Sequence, residues 1–317
     1  MLKIEKGVKF DIINEQVAIH YLKDINNYLR TASYRKNYEK HTMGKNEGKY
    51  INLDFAYLCE LSSIDMQLRY VLLQMCIDLE HSLKISLISS VVSNSYENGY
   101  NIVDLFLEKY PEVLYNIEKK VDSIFTGNLI EKYFSVCYVF DAVKASNSKV
   151  INLQTKIFKY DCPIWVFVEI ISLGDLIKLI TFYNNTYKDK AINSPKANIM
   201  NPIKSLRNAC AHNNCLLNNL KPSETNPTEE ITQYIALNKD IGKEERIKKL
   251  SCRPIFEIIC LLYAYTNFVS KKVKIHRLDE LKSLIQNRMY KNFDYFEKND
   301  LVKTTFNFLK KAIDNIN

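Results

Sequence analysis

Glycine and proline are scarce, with seven of each in 317 residues, well below average usage. Alternating apolar and polar residues are equally rare, whereas Leu, Ile, Lys, Glu and Tyr fill long stretches at three- and four-residue spacing. These two lacks exclude a strand-built chain and predict an all-α fold. Paired cysteines are missing as well. The eight cysteines include no C-x-x-C pair, and most stand among apolar neighbours, where a free thiol behaves as a small hydrophobe. No zinc site is expected, and the implied compartment is a reducing cytoplasm. Long apolar runs are also absent: residues 164–173 are interrupted by Glu169 and followed by Asp175 and Lys178. The opening Met1-Leu-Lys-Ile-Glu-Lys has no apolar segment behind its charges. Secretion and membrane insertion are therefore not expected.

A formal net charge of +8 permits attraction to phosphate backbones, and it fits compositional drift toward lysine equally well. Lys248-Lys249, Lys271-Lys272 and Lys310-Lys311 can guide RNA by long-range attraction, although such pairs are more often solvated helix faces. No internal repeat or low-complexity tract stands out.

The strongest pattern covers residues 62–92, where Ile64, Leu68, Val71, Leu72, Met75, Leu79, Leu83 and Leu87 predict one long amphipathic helix, with Ser62 or Ser63 as its cap. Two short helices are predicted within residues 9–38, the first led by Asn14, and Gly44 and Gly48 mark a loop. Residues 94–99 break the long helix, and residues 102–160 carry shorter helical pieces, one of them spanning 129–143 with Tyr133, Phe134, Tyr138 and Phe140. Pro163 opens a further helix through Trp165, and core packing is the expected role of that sole tryptophan. Pro195 and Pro202 bracket a loop, after which Pro202 starts a helix over residues 203–217. Residues 218–249 read as a polar surface excursion, Pro254 begins a last core helix, and a charged tail adds peripheral helices. The implied organisation is an N-terminal helical segment over 1–57, a main helical domain over 58–275 and a C-terminal helical tail over 276–317.

One hexapeptide is able to name a chemistry: Arg207-Asn208-Ala209-Cys210-Ala211-His212. RNA carries its own nucleophile in the 2′-hydroxyl. Cleavage then needs a group to take that proton, a group to protonate the leaving 5′-oxygen, and positive donors around the phosphorane. An imidazole, with an unperturbed pKa of ~6.5, both accepts and donates near neutrality, which suits His212. A planar guanidinium binds two phosphate oxygens at once, which suits Arg207. Asn208 stands four residues before His212 and shares its helical face, so its amide can orient the ring or bind phosphate. Arg207 points about 140° around from His212 on an ideal helix. Two copies packed about a two-fold axis resolve that mismatch by forming one shared site. The R-x4-H spacing arises by chance in roughly 0.13 of such chains, and the same residues also fit a helix whose Arg207 meets a carboxylate while His212 bonds internally.

The chain resembles the Abi-like (abortive infection) proteins of bacterial phage defence, which belong to the wider HEPN superfamily of helical ribonucleases. Four blocks in family order carry the resemblance: Asn27-Tyr28-Leu29-Arg30 with Tyr34; Asp65, Leu68 and Arg69 with Leu79-Glu80; Pro163, Trp165, Glu169, Ser172 and Gly174; and the segment 206–214 around the hexapeptide. Lys84 stands where relatives often have arginine, and Leu173 replaces an aromatic residue. The resemblance implies a HEPN-type helical bundle with N- and C-terminal helical extensions, and a homodimer in which Arg207 and His212 are the catalytic pair and Asn208 the adjoining polar residue. It implies metal-independent cleavage that needs no cofactor and leaves a 2′,3′-cyclic phosphate, together with growth arrest after phage attack and a neutralising protein or RNA. Glu80 matches a position where such helices often carry a supporting acid facing the motif; an i,i+4 pair with Lys84 is the alternative. A different class of function fits the same residues: a non-catalytic HEPN-like protein that holds a structured noncoding RNA. A purely structural helical adaptor is a third.

Overall fold

The computed structural model describes residues 2–144 and 150–314, with backbone alone at 136–144 and 150–158. The protein is predominantly helical, as its composition predicts, with fourteen α-helices among the described residues. The chain divides into two compact units, one formed by Met1–Leu79 with Asn198–Asn317 and the other by Glu80–Ala197.

In the first unit, the short helices Glu15–His20 and Tyr28–Ser33 form where expected, capped by the side chains of Asn14 and Asn27. The long helix is longer than its pattern suggests and spans Phe55–Ser93. Its start is set by Asp54, whose Oδ1 accepts the Ala56 amide at 2.8 Å in the manner of an N-cap. Ser62 is buried inside the helix, and its Oγ accepts from the Asn26 amide at 2.8 Å. The apolar pattern runs on ahead of Ile64 through Leu58 and Leu61, both fully buried, so the cap lies two turns upstream of the serines. Arg253–Phe268 carries Pro254 in its first turn and buries Ile258, Ile259, Leu261 and Leu262, making it the core helix expected of that stretch.

Two expectations for this unit are corrected. The helix Asp300–Asp314 is not peripheral: Val302, Phe306, Phe308, Leu309 and Ile313 are fully buried, an apolar face masked in the sequence by Lys303, Lys310 and Lys311. Residues 218–249 are not simply a polar excursion either, because Glu229–Ala236 and Lys243–Leu250 are helices with Ile231, Ile235 and Leu250 in the core.

Lys249 is buried with them instead of lying on a solvated face, and its Nζ donates to Thr304 Oγ1 at 2.7 Å and Thr305 Oγ1 at 2.8 Å. Burial pushes its pKa down from 10.5 to about 8, because a buried ammonium is poorly solvated. Between those values the unfolded chain holds a proton that the folded chain lacks, so this group's contribution to stability rises with pH and is lost as pH falls through about 8. Relative to Lys249→Met, the native protein is therefore expected to gain up to about 3 kcal/mol from pH 8 to 10.5, measured by paired urea titrations. A flat difference across that window would contradict the assignment.

The second unit contains the one clear departure from an all-helical reading. Residues 129–143 do not form a helix; Gly127–Tyr133 is helical, and Phe134–Lys144 then pairs antiparallel with Val150–Tyr160 in a two-stranded ribbon, Phe134 opposite Tyr160 and Lys144 opposite Val150. The β-branched and aromatic residues of these strands favour a pleated ribbon, and the density of aromatics had obscured their period. Trp165 is 45% exposed and meets Tyr100 edge-on, so it is not the core residue expected. Gly99, at the predicted break, has φ +86, and a Cβ there would stand 2.7 Å from the Trp165 ring; both conformation and space require glycine. Seven cysteines are free thiols, and the Cys137 side chain lies outside those described.

Candidate functional site

The hexapeptide closes a helix that spans Ala197–Ala211. This helix neither begins at Pro202 nor continues to residue 217. It starts five residues earlier, with Pro202 inside it, where the proline ring forgoes the amide bond to the carbonyl four residues back. It stops after Ala211 because Asn213 adopts the left-handed region at φ 60. The Asn214 amide then donates to Ala209 O at 2.8 Å and the Asn213 amide to Cys210 O at 3.0 Å, the paired bonds of a Schellman ending. Asparagine tolerates that conformation better than most residues.

His212 is therefore not on the helix body but at its final cap. Its amide still bonds to Asn208 O at 2.9 Å, so the two residues keep the helical spacing that stacks them on one face. The His212 side chain is exposed and makes no hydrogen bond or ion pair among the described residues. Arg207 is half-buried, and its Nη1 donates to Oδ1 of exposed Asn208 at 3.1 Å. The structure thus joins Arg207 to Asn208 directly and sets His212 one turn further on. Leu206 and Cys210 take the inward face. Burial pushes the Cys210 thiol up to about 12, which removes it as a nucleophile near neutrality.

What fixes this ending is a set of residues whose role the sequence did not announce. Arg30 reaches from the Tyr28–Ser33 helix to Asn213, with Nη2 donating to its backbone O at 2.5 Å and its Oδ1 at 3.0 Å. Beneath the following loop lies a buried carboxylate: Asp65 Oδ1 accepts the amides of Leu216 and Leu217, both at 3.0 Å. Its Oδ2 accepts the Tyr34 hydroxyl at 2.6 Å and pairs with the buried Arg69 guanidinium. Burial raises the Asp65 pKa against the opposing pull of Arg69 and of these hydrogen bonds. Asn37 completes the frame, donating to Leu217 O at 2.7 Å and accepting the Leu220 amide at 2.8 Å. Arg30, Tyr34, Asp65 and Arg69 thus form the setting for the hexapeptide. The available signal was a carboxylate placed between Ile64 and Leu68 on an apolar stripe, since a charge buried there requires partners.

Residues 20–218, well over half of the chain, match the family described as Abi-like protein. The chain belongs to the Abi-like family. Membership suggests a role in abortive-infection defence against phage. No curated protein and no solved structure matches the chain. The matched span contains the frame just described from Arg30 to Leu217, with Leu220 just beyond it.

In the second unit of this Abi-like protein, Glu80 pairs with Lys84 at 3.7 Å, the i,i+4 partner that was its alternative assignment, although the pair is largely buried and not on a solvated face. Lys84 also reaches Glu169 at 3.3 Å, so two acids of the family blocks share one ammonium. Ser172 caps the helix Leu173–Thr186 and donates to Asp175 at 2.7 Å. Among the described residues, no group of three or more His, Cys, Asp or Glu side chains is arranged to hold a metal ion. No helix among them is long and apolar enough to cross a membrane.

Proposed function

We propose that this Abi-like protein is an endoribonuclease of the HEPN type that arrests growth after phage attack, working without a metal ion. The observation that carries the reading is the helix ending itself: an exposed imidazole at the cap, and one turn before it a guanidinium steadied by a neighbouring amide. In this reaction the RNA 2′-oxygen attacks the adjacent phosphorus while His212 takes its proton. Arg207 holds the non-bridging oxygens as their charge grows, and the Asn208 carbonyl oxygen keeps the guanidinium in place. The bond to the 5′-oxygen breaks, that oxygen takes up a proton, and the products are a 2′,3′-cyclic phosphate and a 5′-hydroxyl. Two protonation roles are needed, and a homodimer that sets two copies of the motif about a two-fold axis supplies a second imidazole. An activity of this kind calls for restraint, which a protein or RNA covering the motif would provide.

The test is incubation of single-stranded RNA and tRNA with purified protein in EDTA, beside Arg207→Ala and His212→Ala. Cleavage by the native protein that is lost in both variants, with fold and oligomeric state intact, is the expected result. Cleavage that survives both substitutions would remove these residues from the mechanism. Binding without any cleavage by the native protein would instead favour a protein that holds a noncoding RNA.

A further inference from the structure

A cleft of about 800 Å³ opens beside the end of the motif helix, within the size range of small-ligand sites. It follows the long helix from Ala56 to Tyr70, a length of about 21 Å at 1.5 Å per residue. Arg30, Arg69 and Asn213 are among its walls. Asn213 follows His212 directly in the chain, so the cleft begins one residue from the imidazole.

Three features of its lining point to one kind of occupant. Arg69 is only 2% exposed and pairs with Asp65 through Nη1, yet its Nε is buried with no hydrogen-bond partner. A buried donor left unpaired is uncommon in a folded protein, and this one belongs to a side chain that lines an open cavity. Arg30 commits only Nη2 to Asn213, and the other donors of its guanidinium make no hydrogen bond among the described residues. Tyr70 and Met66 are 58% and 38% exposed on the same helix, a flat ring beside a polarisable thioether. The two acids of the cleft are already engaged, Asp24 with His20 at 2.7 Å and Glu60 with Arg288. That leaves Arg30 and Arg69, with Lys23 also in the lining, as cationic groups with donors to spare.

We infer that this cleft seats one ribonucleotide of the RNA next to the scissile linkage, with its phosphate against Arg69 and Arg30 and its base across Tyr70 and Met66. Guanidinium groups suit phosphate oxygens, and an exposed aromatic ring stacks any base. The inference rests on the nuclease reading for its place on the RNA, but not for the binding itself. A nucleotide drawn out of the strand in this way would leave the adjoining 2′-hydroxyl and phosphate at the helix cap.

The test uses the full chain and the four ribonucleoside 5′-monophosphates, titrated by calorimetry or NMR, with inorganic phosphate and uncharged nucleosides as separate arms. Saturable binding of a monophosphate, tighter than either of its parts, is expected. Tyr70→Ala should weaken it by about tenfold or more, as loss of one stacked base does, while leaving inorganic phosphate unaffected. Arg30→Gln should weaken both. Tyr70 is an exposed position, so that variant folds; Arg69→Met is a further check, scored only where its circular dichroism is native. Absence of saturable binding, or binding unchanged by both Tyr70→Ala and Arg30→Gln, would overturn the inference. His212→Ala should leave mononucleotide affinity unaltered while cleavage is lost, so failure of the nuclease reading and failure of the cleft are read independently.

Discussion

Asp65→Ala is expected to cost the protein about 3–5 kcal/mol of stability, the usual range when one partner of a buried ion pair is removed. The carboxylate is the only charge paired with buried Arg69 among the ion pairs of the described residues, and it also holds the amides of Leu216 and Leu217 and the hydroxyl of Tyr34. Its loss leaves a buried guanidinium and two inward-facing amides without partners. Asp65→Asn is expected to be milder, because Oδ1 can still accept both amides, although the charge is lost and the Oδ2 acceptor that meets Tyr34 and Arg69 is replaced by an amide donor. Urea unfolding checks the energies, and hydrogen exchange at Leu216 and Leu217 checks the local cause. A change below about 0.5 kcal/mol, ordinary for an exposed position, would show that the loop is held by something else. The prediction bears on function as well as on folding, since this loop leaves the helix end on which His212 sits.

His212→Ala is expected to lower the rate of RNA cleavage by about 10²–10⁴-fold, the range for loss of a positioned general acid or base. Arg207→Ala should cost about 10²–10³-fold, as removal of a donor to a developing oxyanion does. Arg207→Lys tests geometry apart from charge: the ammonium keeps the charge but loses the planar fork, so only partial activity is expected to return. Single-turnover kinetics with saturating enzyme separate these losses from weakened binding. His212→Ala should leave the unfolding midpoint close to native, because its side chain is exposed and unbonded, which sets it apart from Asp65→Ala.

Much of this architecture could be read from the residues. The long helix is legible because Leu68, Leu72, Leu79 and Leu83 repeat at helical spacing and all are buried, and the helix beginning near Pro254 is legible for the same reason. The capping Asn14 was likewise visible, whereas the cap made by Asn27 was not read from the sequence. What was missed shares a physical cause, in that local signals were outweighed by contacts distant in sequence. Ser62 looks like a cap but accepts from Asn26 inside the helix. Pro202 looks like a helix start, but the helix carries it within. Lysines hid the apolar face of Asp300–Asp314.

The site shows the same division. Arg207, Asn208 and His212 were recognisable as reactive types at a meaningful spacing; Asn208 and His212 are exposed and Arg207 is half-buried. The turn that ends the helix was less visible because no glycine announces it; the signal was Asn213-Asn214, amides where a left-handed residue is required. The frame of Arg30, Tyr34, Asp65 and Arg69 could be matched to family blocks, but its work appears only when residues separated by as many as 183 positions are brought to one helix end.

The most direct measurement is end-group mass spectrometry of RNA incubated with the full-length protein in EDTA, with His212→Ala treated in parallel. The account predicts fragments ending in 2′,3′-cyclic phosphate and beginning with 5′-hydroxyl, absent from the variant and absent wherever the nucleotide 5′ to the cut lacks its 2′-hydroxyl. RNA left intact by the native protein, or the same fragments appearing with His212→Ala, would contradict it.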